Sequence, residues 1–333
     1  MIIGVGSIGK RHFQSLINLN GKANFYLVDP IFSKIKKNRI NNFLGVKSIQ
    51  SNKKIFFYEN INDWKSQNIF IDLCIISTNS NKRFFILNKV ISLVATKYIL
   101  LEKFLFDKLK DYSKALKICN TKSKHIFVNQ WISQSSNLRK IFYKFKNYKL
   151  DFKVSGIDWG MASNILHFID MVRYFRINNS ISPKIRNANL SEVIRPAKRN
   201  GFYEVYGNVS IKYGKHNLYV SCNHSKLQKD TKPKKIDIEI TAIKFKNRLV
   251  KFNLKPGIIE GSESINGKVR HFSEKVELMS ELTGNVFKSL NKSKKIYLPT
   301  LEQSIKQHLI IFNLFSQHFK KTIKTKNGIC PIT

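Results

Sequence analysis

Gly4-Val5-Gly6-Ser7-Ile8-Gly9 has the spacing GxGxxG and stands between an apolar run, Ile2–Val5, and an amphipathic stretch, Ile8–Leu19. A strand that runs into a helix through three such glycines makes a phosphate cradle. Gly4 permits the tight turn, Gly6 lets the backbone come close to a pyrophosphate, and Gly9 lets the helix pack on its strand. The amino end of the helix, with Ser7 and Ile8 in its first turn, offers N–H groups and a partial positive charge to the phosphates. Asp29 closes the next apolar run, Tyr26-Leu27-Val28, 20 residues after Gly9. A carboxylate there accepts from ribose hydroxyls, so the combination predicts a dinucleotide site. It would repel a 2′-phosphate, which favours NAD over NADP, while Lys34, Lys36 and Arg39 keep NADP open. Asp29 also reads as a turn aspartate ahead of Pro30.

The elements that must hold these residues follow from the apolar pattern. Runs at Ile2–Val5, Asn24–Val28, Ile69–Ile76 and Tyr98–Leu101 alternate with helical stretches at Ile8–Leu19, Arg83–Val94 and Leu109–Asn120. That alternation predicts a parallel α/β sheet. Asp29, Ser77 and Glu102 end three of the strands, where open α/β sheets place their ligands. The first strand is short ahead of Gly4 for a central strand; either it is short here or the true start lies upstream. After Ser123 the texture changes. Ile126–Val128, a helix at Ser136–Phe145, a strand at Leu150–Gly156 and a helix at Ser163–Phe175 precede strands at Tyr203–Tyr213, His216–Cys222, Lys235–Ile243 and Leu249–Asn253. Ile177–Arg199 and Ser225–Lys234 read as polar loops. A last helix opens at Pro299-Thr300-Leu301-Glu302-Gln303 with a capping box and an apolar face of Leu301, Ile305, Leu309, Phe312, Phe315 and Phe319. The expected architecture is α/β: a Rossmann domain over residues 1–123 and a second α/β domain over 124–333 with an open, mostly antiparallel sheet.

With these motifs the chain resembles the Gfo/Idh/MocA family of sugar oxidoreductases over nearly its whole length. Gly4 to His12 looks like the family's opening signature, and Ile75-Ile76-Ser77-Thr78-Asn79 sits where the family turns toward its cofactor. Leu101-Glu102-Lys103-Phe104 matches the Glu-Lys-Pro motif, Val128-Asn129-Gln130 the entry to the second domain, and Gly160–Asp170 the helix that carries a histidine. The resemblance implies cofactor contacts at the glycine loop, Asp29, Ser77, Thr78, Asn79, Glu102 and Lys103. It implies catalysis by Lys103 and His167, with substrate near Asn129, Trp159 and Asp170. Oxidising a secondary alcohol requires a base for the hydroxyl proton while hydride leaves for the nicotinamide. A lysine that is partly desolvated or beside another cation loses basicity and suits that task. His167 and Asp170, three apart on a helix, share a face; the histidine could relay the proton and the aspartate orient it or bind a sugar hydroxyl. The same residues also read as a core histidine and a surface carboxylate near Arg173. Three positions depart from the family: Phe104 replaces a proline, Ser163 an aspartate, and Arg83 a histidine; Asn164 and Asp158 are candidate substitutes for the aspartate. The ending Cys330-Pro331-Ile332-Thr333 is similar to members from bacterial surface-polysaccharide loci.

Composition sets the limits. The 333 residues include 59 Lys plus Arg against 21 Asp plus Glu, a formal charge of +38. Such a charge suits a phosphate-rich partner, but the basic residues run from Lys10 to Lys326 with no tail and no zinc-finger or RNP-type pattern. Abundant Lys, Asn, Ile, Phe and Tyr share A/T-rich codons, which accounts for the charge without a nucleic acid. Four cysteines and eight histidines show no metal-ligand spacing, so no metal is expected. No apolar run reaches the ~18 residues of a membrane span and no signal-peptide layout opens the chain, which points to the cytoplasm. The resemblance further implies a homo-oligomer, dimer or tetramer, built on the second sheet. Two other functions stay open: a catalytically degenerate NAD-binding sensor or structural protein, motivated by Ser163 and Phe104, and nucleic-acid binding through charge alone.

Overall fold

The short apolar runs of the first third pair in parallel, as their spacing predicts. A computed structural model of the chain describes residues 1–64, 68–121, 125–143, 148–174, 182–225, 236–242, 248–255 and 257–333. The chain divides into two units, Met1–Phe106, Asp111–Gln134 and Leu278–Glu302 in the first and Asp107–Lys110, Ser135–Glu277 and Gln303–Thr333 in the second. The expected boundary at residues 123 and 124, which are outside the described residues, falls within the span of the first unit. A contiguous cut also misses that Leu278–Glu302 returns to that unit.

The first unit opens with β1 (Ile2–Ile3), α1 (Ser7–Ile17), β2 (Ala23–Val28), α2 (Ile40–Leu44) and β3 (Lys53–Tyr58). It continues with β4 (Ile71–Ile76), α3 (Ser80–Leu93), β5 (Thr96–Leu101), α4 (Leu109–Thr121) and β6 (His125–Val128). The sheet order is β3-β2-β1-β4-β5-β6, every neighbour parallel. β2 and β4 each end in four buried residues, Phe25–Val28 and Leu73–Ile76, as strands covered on both faces do. The connection order reverses between β1 and β4, so the carboxyl ends of these strands bracket the crevice where such sheets bind ligands. β1 is shorter than the apolar run Ile2–Val5 because Gly4 turns the chain at φ +89°. β3 escaped the sequence reading. It is an edge strand with exposed Phe56 and Phe57, so its residues do not alternate cleanly between core and solvent.

The second unit holds α5 (Ser136–Tyr143), β7 (Leu150–Gly156), α6 (Met161–Tyr174), β8 (Lys184–Pro196), β9 (Tyr203–Tyr213) and β10 (His216–Cys222). β11 (Ile236–Ala242), β12 (Arg248–Lys255), β13 (Ile258–Ile265) and β14 (Lys268–Lys275) follow. Its sheet runs β14-β13-β12-β11-β7-β10-β9-β8, antiparallel throughout except for the parallel pair β7 and β10. α6 buries Ile165, Leu166, Phe168 and Ile169 and packs on β9 and β10. The stretch Ile177–Arg199 is not a loop where described: β8 occupies most of it, an edge strand without one fully buried residue. Irregular register at Ile185/Asn187 and Leu190/Ile194 erases its period of two. Residues 177–181 and 226–234 of the two expected loops lie outside the described residues.

The chain closes with α7 (Met279–Asn291) in the first unit and α8 (Leu301–Ile323). On α8, Leu301, Ile305, Phe312, Phe315 and Phe319 are buried as their spacing predicts, while Leu309 is half-buried. α7 packs against α1 through a glycine contact. The N–H of Gly284 donates to Oγ of Ser15 at 2.8 Å, and a Cβ at Gly284 would lie 2.9 Å from the Ser15 carbonyl oxygen. Gly284→Ala is therefore expected to lower stability by about 1–3 kcal/mol through overpacking, read as a fall in Tm; an unchanged Tm would show that the two helices separate freely. Among the described residues, no helix is long and apolar enough to cross a membrane.

Candidate active site

Three glycines shape the loop after β1, each for a different reason. A Cβ at Gly4 would lie 2.8 Å from the Thr78 nitrogen, and one at Gly9 would lie 2.0 Å from the Gly4 carbonyl oxygen. Both are closed by protein. A Cβ at Gly6 would meet nothing within 4 Å, and Gly6 is the N-cap of α1, with ordinary φ −72° and no side-chain cap. The first turn of α1, Ser7 and Ile8 included, carries no acid. Backbone, helix dipole and open space thus coincide at Gly6, which is the form of an anion cradle.

Asp29 locks this loop to the end of β2. Its Oδ2 accepts from the N–H of Val5 at 2.7 Å and its Oδ1 from the N–H of Ile31 at 2.9 Å. The turn reading of Asp29 is thus true, and the carboxylate still lies half-buried at the strand end. Ser77 is buried and donates through Oγ to the Gly4 carbonyl at 2.6 Å, joining the β4 end to the glycine loop. Thr78 and Asn79 follow, half-buried, with Asn79 at the N-cap of α3.

Arg83 has a role the sequence did not suggest. It is fully buried and donates to the carbonyls of Thr78 and Phe104, and to that of Leu105 at 3.3 Å. One guanidinium fork therefore holds together the turns after β4 and β5, the second of which carries Lys103. Lys103 itself is half-buried, and its peptide bond to Phe104 is cis.

Behind Lys103 lies a polar network within the first unit. His12 donates from Nε2 to Oε1 of Glu102 at 2.8 Å, and its Nδ1 stands 2.7 Å from the hydroxyl of Thr283 on α7. Asn129 also donates to Glu102, with its Nδ2 3.3 Å from the Met279 sulfur. His12, Glu102 and Asn129 are all buried. Burial alone would raise the Glu102 carboxyl, but the hydrogen bonds from His12 and Asn129, and the charges of His12 and Arg83, outweigh it and hold it below the usual carboxylate value. His12 lies inside the opening signature, so its presence was legible; its partner Thr283, 271 residues away, was not.

The remaining expected residues belong to the second unit. His167 is 6% exposed on α6. Asp170, on the next turn, is not a surface carboxylate: it is fully buried, ion-paired with Arg173 and 3.4 Å from Nε2 of Gln307. Trp159 donates from Nε1 to the Ser221 carbonyl at 3.0 Å and meets Phe168 edge-on at 5.5 Å. Asn164 turns back onto the carbonyls of Trp159 and Gly160, both at 3.0 Å. Asp158 binds Ser225 through its N–H at 3.1 Å and its hydroxyl at 2.5 Å, and Arg195 at 3.4 Å. Burial would raise its carboxyl, but Ser225, Tyr206 and Arg195 together lower it. A residue the sequence reading missed stands at the start of α6: Glu204 of β9 accepts from the Ser163 hydroxyl, and from the Ser163 N–H at 3.4 Å. Nothing in its local sequence marks it, because the packing of α6 on β9 brings it there.

The structure is similar to solved oxidoreductases over nearly the whole chain. A dehydrogenase from Clostridium difficile matches with TM-score 0.66 and 11% identity, covering 95% of this chain and 98% of that one. An oxidoreductase from Agrobacterium radiobacter, solved with NAD+, L-tartaric acid and magnesium, gives 0.66 and 10% over 93% of each chain. A variant of a 3-ketoreductase from Actinomadura kijaniata, solved with TDP-benzene and NADP, gives 0.63 and 11% over 93% of this chain and 94% of that one. The fold is that of these oxidoreductases. It is the two-sheet α/β fold that the Gfo/Idh/MocA resemblance implies. No family model matches the chain, and no curated protein does. Among the described residues, no group of three His, Cys, Asp or Glu could hold a metal ion.

Proposed function

We propose that the chain is a Gfo/Idh/MocA-type oxidoreductase that uses NAD, or NADP, to move hydride to or from a secondary alcohol of a sugar or nucleotide sugar. The open Gly6 position at the head of α1 carries this reading, because the protein itself gives no steric reason for glycine there. The loop would hold the pyrophosphate through the N–H groups of Ser7 and Ile8, with Asp29 near the ribose and Ser77, Thr78 and Asn79 along the nicotinamide half. The bound dinucleotide supplies the hydride acceptor or donor. Lys103 takes or returns the hydroxyl proton, and His167 holds or relays it. Glu102 and Asn129 position the turn from behind, and Asp170 fixes α6 through Arg173 and Gln307. Trp159 forms one wall for the sugar.

Glu204 counts against a degenerate protein. It brings a carboxylate to Ser163, the position where the resemblance implies an aspartate, so the acid lost from α6 is returned by β9. A nucleotide sugar suits the basic chain, in line with the 3-ketoreductase solved with a TDP compound. From the likeness of the ending Cys330-Pro331-Ile332-Thr333 we infer surface glycan synthesis as the setting; the family resemblance implies an oligomer built on the second sheet, and the cytoplasm is its expected compartment.

Gly6→Ala tests the reading directly. The variant is expected to keep its Tm, since its added methyl meets no atom within 4 Å, and to lose at least tenfold in NADH affinity, about 1.4 kcal/mol, by fluorescence titration. Unchanged NADH affinity would remove the dinucleotide site. NADH binding with no hydride transfer across a panel of sugars and nucleotide sugars would instead favour the sensor.

A further inference from the structure

The Glu102 carboxylate has two side-chain donors, and one turn of α7 touches both. His12 on α1 donates to it from Nε2 at 2.8 Å, and Asn129, the residue after β6, donates from Nδ2. On α7, the Thr283 hydroxyl stands 2.7 Å from His12 Nδ1, and the Met279 sulfur stands 3.3 Å from Asn129 Nδ2. Met279 and Thr283 are one helical turn apart and share a face of α7. All five residues belong to the first unit.

Glu102 stands where a small shift matters. Its N–H donates to the Ile76 carbonyl at 3.0 Å, and the Asn129 N–H donates to the Leu101 carbonyl at 2.8 Å, so the end of β5 is tied on both sides. Lys103 is the next residue. An ionised carboxylate only accepts, so His12 carries its proton on Nε2; in a neutral ring Nδ1 then accepts from the Thr283 hydroxyl. The other acceptor for that hydroxyl, the Met279 carbonyl, is farther away at 3.4 Å. Hydroxyl, imidazole and carboxylate follow the order of a hydrolase triad, but Thr283 is 2% exposed and no substrate reaches it. Stability alone is not a sufficient reason for the arrangement, since well-packed apolar side chains hold a strand end without desolvating a carboxylate. What the hydrogen bonds add is direction, because they fix the carboxylate oxygens in one place. α7 is a firm reference for this: it sits on α1 through Gly284 and Ser15 at 2.8 Å and buries Leu282, Val286 and Leu290.

We infer, on the proposed reading of Lys103 as the base, that Met279 and Thr283 are positioning residues. Through Asn129 and His12 they hold Glu102, and so set the turn that carries Lys103. The return of Leu278–Glu302 to the first unit thereby serves the chemistry as well as the packing.

Thr283→Val keeps the shape and removes the hydroxyl, whereas Thr283→Ser keeps the hydroxyl. Both are compared with the parent well below their Tm, so that only folded protein is read. In Thr283→Val, kcat is expected to fall by about 10- to 100-fold, the effect of a misplacement remote from the chemistry, while KM and NADH affinity keep their parent values. Thr283→Ser is expected to restore kcat. A second readout needs neither cofactor nor substrate: competitive acetylation with acetic anhydride, read peptide by peptide, compares Lys103 with the exposed Lys97 on β5. Labelling of Lys103 relative to Lys97 is expected to rise about threefold in Thr283→Val as the turn loosens, and to return in Thr283→Ser. A lower Tm with parent kcat and parent labelling would overturn the inference, because the network would then hold the fold alone. A loss of NADH affinity equal to the loss in kcat would overturn it as well, since the displacement would then lie in α1 and the glycine loop. If the parent chain moves no hydride to any sugar, the proposed activity fails, and the labelling ratio by itself decides the role of α7.

Discussion

Lys103→Ala is expected to lower turnover by about 10²- to 10⁴-fold, the range for loss of a positioned general acid or base, while the fold and NADH binding survive. Lys103 is half-buried, so truncating it opens no fully enclosed cavity. Its turn is set by Arg83, which holds the carbonyls of Phe104 and Leu105 and stays in place in the variant. The loss should therefore fall on kcat rather than on Tm. The pH profile separates a catalytic amine from a cofactor contact: the limb that reports proton transfer should vanish in Lys103→Ala and return, displaced, when an external amine is added. A variant that turns over a sugar substrate at the parent rate would show that Lys103 is not the base.

Glu102→Ala should have the largest effect on stability, about 3–5 kcal/mol, the usual result of breaking a buried ionisable pair. It strips His12 Nε2 and the Asn129 amide of their acceptor in a place where water does not reach. At roughly 2–4 °C per kcal/mol for a domain of 150–250 residues, Tm would fall by roughly 6–20 °C. The pH dependence has a definite sign. The folded Glu102 carboxyl titrates below its ordinary value, so its stabilisation is complete above that ordinary value and is lost as pH falls through the depressed one. The gap in Tm between parent and variant should be widest near neutrality and close in acid. A gap that is flat with pH would mean that Glu102 contributes packing alone.

Much of the first unit was legible because its signals are local. A strand, three glycines and an amphipathic helix lie in consecutive residues, and β2, β4 and β5 are near-continuous apolar runs ended by Asp29, Ser77 and Glu102. What escaped depends on neighbours. β3 and β8 are edge strands with little to bury, so their sequences show no clean period. β14 leaves nearly all its residues exposed, and α7 belongs to the first unit through long-range packing, with Val286 and Leu290 in its apolar cluster and Gly284 against α1. The polar partners were the least visible. Thr283 reaches His12, Glu204 reaches Ser163 and Gln307 reaches Asp170 only through tertiary packing, over separations that no spacing rule spans. Asp170 is the instructive case. Its position on α6 could be read from the sequence, but its burial required α8 and a charged partner on its own helix.

The double hydrogen bond at Asp29 bears on any attempt to re-engineer the cofactor preference. Exchanging an acidic residue at the end of β2 for a small neutral one is a natural first step toward accepting a 2′-phosphate. Here the same carboxylate is the acceptor for two backbone amides, Val5 in the glycine loop and Ile31 in the turn beyond. Removing it would unmoor the loop whose shape any dinucleotide needs, so affinity for both cofactors would drop together. If the chain binds the dinucleotide proposed above, a switch of preference would have to keep acceptors for both amides at residue 29, which neither asparagine, with one carbonyl oxygen, nor serine supplies in full, and place the new positive charge elsewhere.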